Sequence, residues 1–288
     1  VNKQKKYMAT IMIIHVTNAL LNYIFIFGKF GSPELGTSGA ALASLLAPAL
    51  GSIIYFTMGF KGLGNNGFLK GLPKQAIESL IKLSIPNAIQ STLYALSYFT
   101  LYKIIAMLGT HELAAAGIII NFALVCYLPA MAFGMVATSQ VGQALGRKDP
   151  QEADLWALQI TTVATLTLSV LSLPFFIVPE FLLSIFILEK EVVHIAVTAV
   201  IILGCSLPFE GIVLVLQHAL LGAGDSKKVM FLSITSSWLF YLPLAWLMAH
   251  TFGWRLNGIW IANLIIQLAL AMTYALLWKK GHWKTIKI

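Results

Sequence analysis

VVHIAVTAVIILGCSLPFEGIVLVLQHALL, residues 192–221, runs for thirty residues with one formal charge, Glu210, placed two positions after Pro208. A helix of that length extends about 45 Å at 1.5 Å per residue, enough to cross the ~30 Å hydrocarbon layer of a bilayer. The rest of the chain has the same character. Of 288 residues, 58% are hydrophobic and 10% charged, and the mean hydropathy is +0.83. Too few polar side chains remain to cover a water-soluble surface, and backbone groups in lipid must be satisfied locally, so the sequence reads as an all-α integral membrane protein.

Eight apolar stretches are long enough to span: 7–27, 39–60, 83–108, 113–141, 155–179, 192–221, 229–250 and 258–278. Charged or turn-like segments separate them, among them GRKDPQEAD and GAGDSKK. The net charge of +8 comes from span ends rather than from one patch, which excludes nucleic acid as a partner. Assigning the breaks alternately to two sides puts fifteen of nineteen Lys and Arg residues on one side, leaving Lys29, Lys103, Lys190 and Arg255 on the other. By the positive-inside rule both termini are cytoplasmic and the membrane is the plasma (inner) membrane. Trp156, Trp254, Trp278 and Trp283 fall near span ends, where interfacial anchors belong. Cys126 and Cys205 lie in apolar runs and read as small packed hydrophobes. No His and Cys cluster has metal-ligand spacing, so no metal and no cofactor are expected.

The second and eighth spans align without gaps, with Gly39/Gly258, Ala43/Ala262, Leu45/Leu264, Tyr55/Tyr274, Lys61/Lys280 and Gly62/Gly281 identical. The spans before them both begin with a Lys-Lys pair. A repeat unit of six helices follows, and an even number makes the copies parallel. The expected organisation is 1–62 as the last two helices of a first lobe, 63–80 as a cytoplasmic linker, and 81–288 as a six-helix second lobe. The chain is thus expected to be the later part of a twelve-helix protein.

Glu210 is the one carboxylate deep in a span. A charge there is expensive, about 2.5–3.5 kcal/mol on insertion scales, and by default faces a cavity or a partner. The plainer reading is a structural glutamate bonded to a neighbouring helix. Pro208 removes a backbone donor and frees the carbonyl of Gly204, so a kink is expected beside the carboxylate. Ser206 and Gln217 share its helical face, giving a polar stripe able to exchange a proton or a monovalent cation. Span three carries Gln90, Tyr94, Tyr98 and Tyr102 at steps of four. Aromatic rings lining a cavity attract organic cations, and the alternative is helix packing through the hydroxyls. Asn18, Asn22 and Asn121 are buried amides, read first as interhelical glue and second as cavity ligands.

GAGD at 222–225 resembles the motif of intramembrane aspartyl proteases, but the other aspartates, Asp149 and Asp154, share a single loop, so the paired acids of that chemistry are missing. An enzyme is not expected. A channel would need a carbonyl filter or a charged ring, and neither is visible. A carrier fits best.

Several stretches are similar to the MATE family of multidrug and toxin extrusion transporters, over what would be helices five to twelve. They are NALLNYIFIFGKFG, LGTSGAALAS, LSIPNAIQ, the run from ELAAAGIIINF through SQVGQALGRKDPQEA, and Glu210 placed fifteen residues before Asp225. The resemblance implies a transporter of two six-helix lobes that exports amphipathic organic cations in exchange for H+ or Na+, working by alternating access as a monomer when complete and surrounded by membrane lipid. It implies a coupling role for Glu210; the polar and aromatic stripes themselves make Gln90, Tyr94, Tyr98, Asn121, Ser206 and Gln217 the cavity candidates. The chain departs from the family at Gln90, where glutamate is common, at Ala116 and Gly117, where His-Gln is frequent, and at Leu221, where arginine is common. A lipid-linked saccharide flippase of the same superfamily, or a non-transporting membrane component, is the alternative.

Overall fold

The computed structural model describes residues 4–63, 74–186 and 189–285. Among them every regular element is helical and there is no strand. The chain divides into two compact units, residues 1–77 and 78–288.

The first unit is a hairpin of α1 (Gln4–Phe27) and α2 (Gly36–Leu63). Its connection carries two glycines at positive φ, Gly28 and Gly31, and at Gly28 a Cβ would come within 2.9 Å of the Glu34 backbone nitrogen. Gly39 lets α2 close on α1, since a Cβ there would lie 2.6 Å from the Phe25 carbonyl. The Leu35 N–H donates to that same carbonyl at 2.9 Å. Most large apolar side chains of α1 face outward, which a bilayer tolerates and water would not.

The second unit begins in α3 (Lys74–Ala106) and continues through α4 (Thr110–Gly146), α5 (Pro150–Ile177), the short α6 (Pro179–Ser184) and α7 (Lys190–Gly222). It ends with α8 (Ser226–Thr251) and α9 (Arg255–Lys280). The helix α7 packs against α4, α5 and α9 and is the most buried span. A Cβ at Gly222 would lie 2.5 Å from the Thr138 carbonyl, so this glycine sets how closely α4 and α7 approach. The helix α8 is α-helical at Ser226–Thr235 and Leu242–Trp246 and π-helical at Ser236–Tyr241 and Leu247–Thr251. It runs parallel to α3 and is bonded to it at three heights: Gln90 to Ser233, Trp238 Nε1 to the Leu93 carbonyl, and His250 to the Ile104 carbonyl.

Among the described residues seven helices are long and apolar enough to cross a bilayer, and the chain is an integral membrane protein. The remaining expected span, 83–108, falls in α3. Its polar stripe of Gln90, Ser91, Thr92 and the tyrosines lowers its hydropathy below the other seven, so length rather than composition qualifies it. The expected linker, 63–80, lies largely outside the described residues, and its end from Lys74 is already helical.

The helix ends are fixed by local chemistry. At the basic end of the second unit Asp149 caps α5, accepting from the Gln151 and Glu152 amides at 3.1 and 2.9 Å, with Pro150 at the first turn. Gly281, at φ 72°, closes α9 in the left-handed conformation. Trp278 and Trp283 are not outward-facing anchors: both are buried and stack at 4.1 Å, while Trp278 donates to Asp154 at 2.6 Å. The turn after Gly281 folds Trp283 back onto α9, which removes both rings from the interface. At the opposite end the buried Glu112 accepts from Arg255 Nε at 2.7 Å, and Arg255 also reaches the Leu108 carbonyl. That pair joins the start of α4 to the start of α9.

Two apolar cores result. One, toward the Arg255 end, contains Ile105, Ile119, Leu168, Leu207 and Ile259, and the other, toward the basic end, contains Val141, Ala157, Val215, Tyr274 and Trp283. Along α7 the first core holds Leu203, Leu207 and Leu214 and the second begins at Val213, so the two cores meet in the turn that follows Glu210.

Candidate functional site

The layer between the two cores is polar because four helices turn their polar stripes toward it. From α7 comes Glu210. From α3 come Gln90, Tyr94 and Tyr98, separated by four residues so that they share one face. The helix α8 supplies Ser233, Ser236, Ser237 and Tyr241, and α9 supplies Asn263, Gln267 and Tyr274.

These side chains enclose two cavities. The larger, about 340 Å³, extends toward the basic end and is lined by Asn87, Gln90, Tyr94, Tyr127, Gln217 and His218 among others. The smaller, about 140 Å³, extends toward the Arg255 end past Ser97, Tyr98, Tyr241, Trp260 and Asn263. Glu210, Tyr94, Ser236, Ser237 and Gln267 belong to both walls. The carboxylate therefore stands at the junction of a cavity leading toward one end and a cavity leading toward the other.

Partners differ sharply within the layer. Gln90 Nε2 donates to Ser233 Oγ at 2.9 Å, and that hydroxyl lies 3.5 Å from Tyr274 Oη, so three helices share one bonded string. The Tyr94 and Tyr98 rings meet edge to face with centroids 5.2 Å apart. His218 Nδ1 lies 2.9 Å from the Leu214 carbonyl, which anchors one ring nitrogen on its own helix. Among the described residues no side chain hydrogen-bonds or ion-pairs with the Glu210 carboxylate. Gln267 Oε1 and Trp260 Nε1, both in the wall of the smaller cavity, are buried without a partner. Unsatisfied buried groups cost about 1–3 kcal/mol each, so this layer favours a guest that supplies them with a partner.

The lining holds one carboxylate, several phenol and serine hydroxyls, amides and a histidine, and no lysine or arginine. Among the described residues no three His, Cys, Asp or Glu side chains come together as metal ligands, so any cation bound at Glu210 would complete its shell from hydroxyl and amide oxygens. Five of the sequence-derived residues come together here: Glu210, Gln217, Gln90, Tyr94 and Tyr98. Asn121 and Ser206 do not line either cavity. Asn121 is exposed and donates to the Gly117 carbonyl at 2.9 Å, while Ser206 is buried and donates to the Leu203 carbonyl at 2.7 Å. The helix α7 continues unbroken through Pro208. Asn263, Gln267 and Tyr274 were missed from the sequence although they recur at helical spacing, the same signal that exposed the α3 stripe.

Residues 86–247 match the MatE family. The chain is 28% identical over 278 residues to the probable multidrug resistance protein NorM of Thermotoga maritima, covering 93% of this chain and 58% of that protein. With the NorM of Neisseria meningitidis serogroup B it shares 29% over 292 residues, 96% of this chain and 61% of the relative. The chain thus spans about three fifths of the length of the curated relatives it matches. In fold it is similar to the Vibrio cholerae MATE transporter VcmN, with a TM-score of 0.84 at 23% identity over 96% of this chain and 63% of that one. A MATE structure in the bent conformation also gives 0.84, at 16% identity over 97% of this chain and 62% of that one. With more than half of its length matching, and with the same helical architecture, the chain belongs to the MatE family.

Proposed function

We propose that this chain works in a secondary transporter that exports amphipathic organic cations in exchange for H+ or Na+. The observation that carries the reading is the position of Glu210, an unpaired carboxylate in the wall shared by two cavities that lead toward opposite ends of the unit. A coupling ion entering from one end and a cargo or ion leaving toward the other would both meet this group. The family relationship and the names of the relatives, multidrug resistance proteins, support drugs as cargo.

Lining chemistry favours cations. With one carboxylate, no lysine or arginine and the faces of Tyr94, Tyr98 and Tyr127, the cavity suits a positively charged amphiphile and lacks the cations that a pyrophosphate-linked saccharide would need. The excess of basic residues at one end supports a cytoplasmic location for that end, and with it the assignment of the larger cavity to the cytoplasmic side.

The test is flux in proteoliposomes containing the complete protein of which this sequence forms the whole or a part, with H+ and Na+ gradients imposed separately. Efflux of a fluorescent organic cation driven by one gradient and abolished by its collapse is expected. Flux indifferent to both gradients overturns the reading.

A further inference from the structure

A groove of about 870 Å³ runs along the outside of the second unit between α5 and α9, with Ile212 and Leu216 of α7 as its floor. It is separate from the cavities around Glu210, sharing none of their lining residues. We propose that it binds one anionic phospholipid, with the phosphate at Lys279 and Lys284 and an acyl chain lying along α5.

The groove has a charged mouth and an apolar body. Its mouth is at the basic end, where Asp154, Lys279 and Lys284 meet. From Gln151 to Leu166 the α5 wall rises about 22 Å, more than the roughly 15 Å of one hydrocarbon leaflet. Leu155, Leu158 and Leu166 stand exposed along it. Thr161, Thr162 and Thr165 leave that wall apolar, because each hydroxyl donates back to the carbonyl four residues earlier, at 2.7, 2.9 and 2.8 Å. A side chain that has already used its proton offers an alkyl chain only its methyl.

Charge identifies the headgroup. Every carboxylate beside the mouth is engaged: Asp149 caps α5, Glu152 pairs with Arg147 at 2.7 Å, and Asp154 holds both the Trp278 indole and, at 3.9 Å, Lys284. Lys284 is further fixed over the Trp283 ring at 5.2 Å, which keeps its ammonium at the mouth. Lys279 and the neighbouring Lys280 lie at the end of α9 and have no carboxylate partner among the described residues, so the mouth carries surplus positive charge. A basic pocket between spans at the cytoplasmic interface suits a phosphate with a single negative charge, and it repels the organic cations proposed as cargo.

The experiment is lipid retention by the purified 288-residue chain in nanodiscs of equal parts phosphatidylglycerol and phosphatidylcholine, read by native mass spectrometry after transfer to detergent. The wild type should keep one phosphatidylglycerol. Lys279→Ala with Lys284→Ala should lower that retention about twenty-fivefold, from roughly fivefold per lysine. Leu158→Trp, which narrows the groove at an exposed position and leaves every charge in place, should lower it as well. Equal retention of the two lipids by the wild type overturns the proposal, as does retention unchanged in the double variant. Loss in the double variant with full retention in Leu158→Trp also overturns it, because the phosphate would then sit on a basic surface outside the groove.

Discussion

Among the described residues of its unit no charged side chain lines the cavities beside Glu210, and a lone carboxylate in that layer is costly unless a cation accompanies it. Glu210→Gln keeps the shape and the hydrogen-bonding capacity and removes the ionisation. Gradient-driven efflux in the complete protein is expected to fall at least about tenfold while the amount in the membrane stays within about twofold; unchanged efflux would remove the coupling role. Tyr94, which walls both cavities, separates ring from hydroxyl. Tyr94→Ala should raise the apparent KM for a cationic substrate about two- to thirtyfold, the range of one cation–π contact, whereas Tyr94→Phe keeps the ring face and should be nearly silent. Equal losses in the two variants would assign the residue to packing through its hydroxyl. At this scale the sequence reveals a side chain by its cost: a lone carboxylate in an apolar run is visible, and so is a stripe at steps of four. Asn121 and Ser206 look the same in sequence as lining residues, but each satisfies its polar group on its own helix, and hydrogen bonds of that kind leave no sequence trace.

Spans were legible because hydropathy is a property of long segments, and the first element's bounds, Gln4–Phe27, extend the expected 7–27 only at its start. What escaped were irregularities made by tertiary contact: the π-helical turns of α8, the short α6, and the turn that buries Trp283. The two hairpins that the expected repeat relates share one local contact. Gly258 lets α9 approach the Met248 carbonyl, where a Cβ would lie 2.8 Å away, and the Trp254 N–H donates to that carbonyl at 3.1 Å. Gly39 has the same relation to Phe25, and in each case the donating amide belongs to the residue four places before the glycine. Ala43 and Ala262, one turn further on, are both fully buried. The glycines are therefore retained for close approach, and Gly258→Val should destabilise the folded unit by about 1–3 kcal/mol through overpacking against backbone that cannot yield. A thermal-unfolding midpoint in detergent equal to that of the wild type would show that the helices separate without penalty.

For the whole molecule, the number of spans decides the orientation of the chain, and α3 decides the number. If α3 lay on the membrane surface, the other seven helices would put the termini on opposite sides, and the nineteen basic residues would divide ten to nine. With α3 crossing they divide fifteen to four. Only the second division has the asymmetry that cytoplasmic retention of Lys and Arg produces. Packing points the same way, because α3 is bonded to the spanning helix α8 near its start, further along and near its end, so the two helices share one range of depth. Its low hydropathy follows from the stripe that lines the cavities, and a polar stripe turned inward need not meet lipid. A chain with Cys126 and Cys205 replaced and a single new cysteine at Thr110, an exposed position at the start of α4, should react with a membrane-impermeant maleimide in intact cells. The same chain with Lys228→Cys instead should react only after lysis. Labelling of Thr110→Cys only after lysis would place α3 on the surface and reverse every span after it, and with them the direction assigned to the cavity on each side of Glu210.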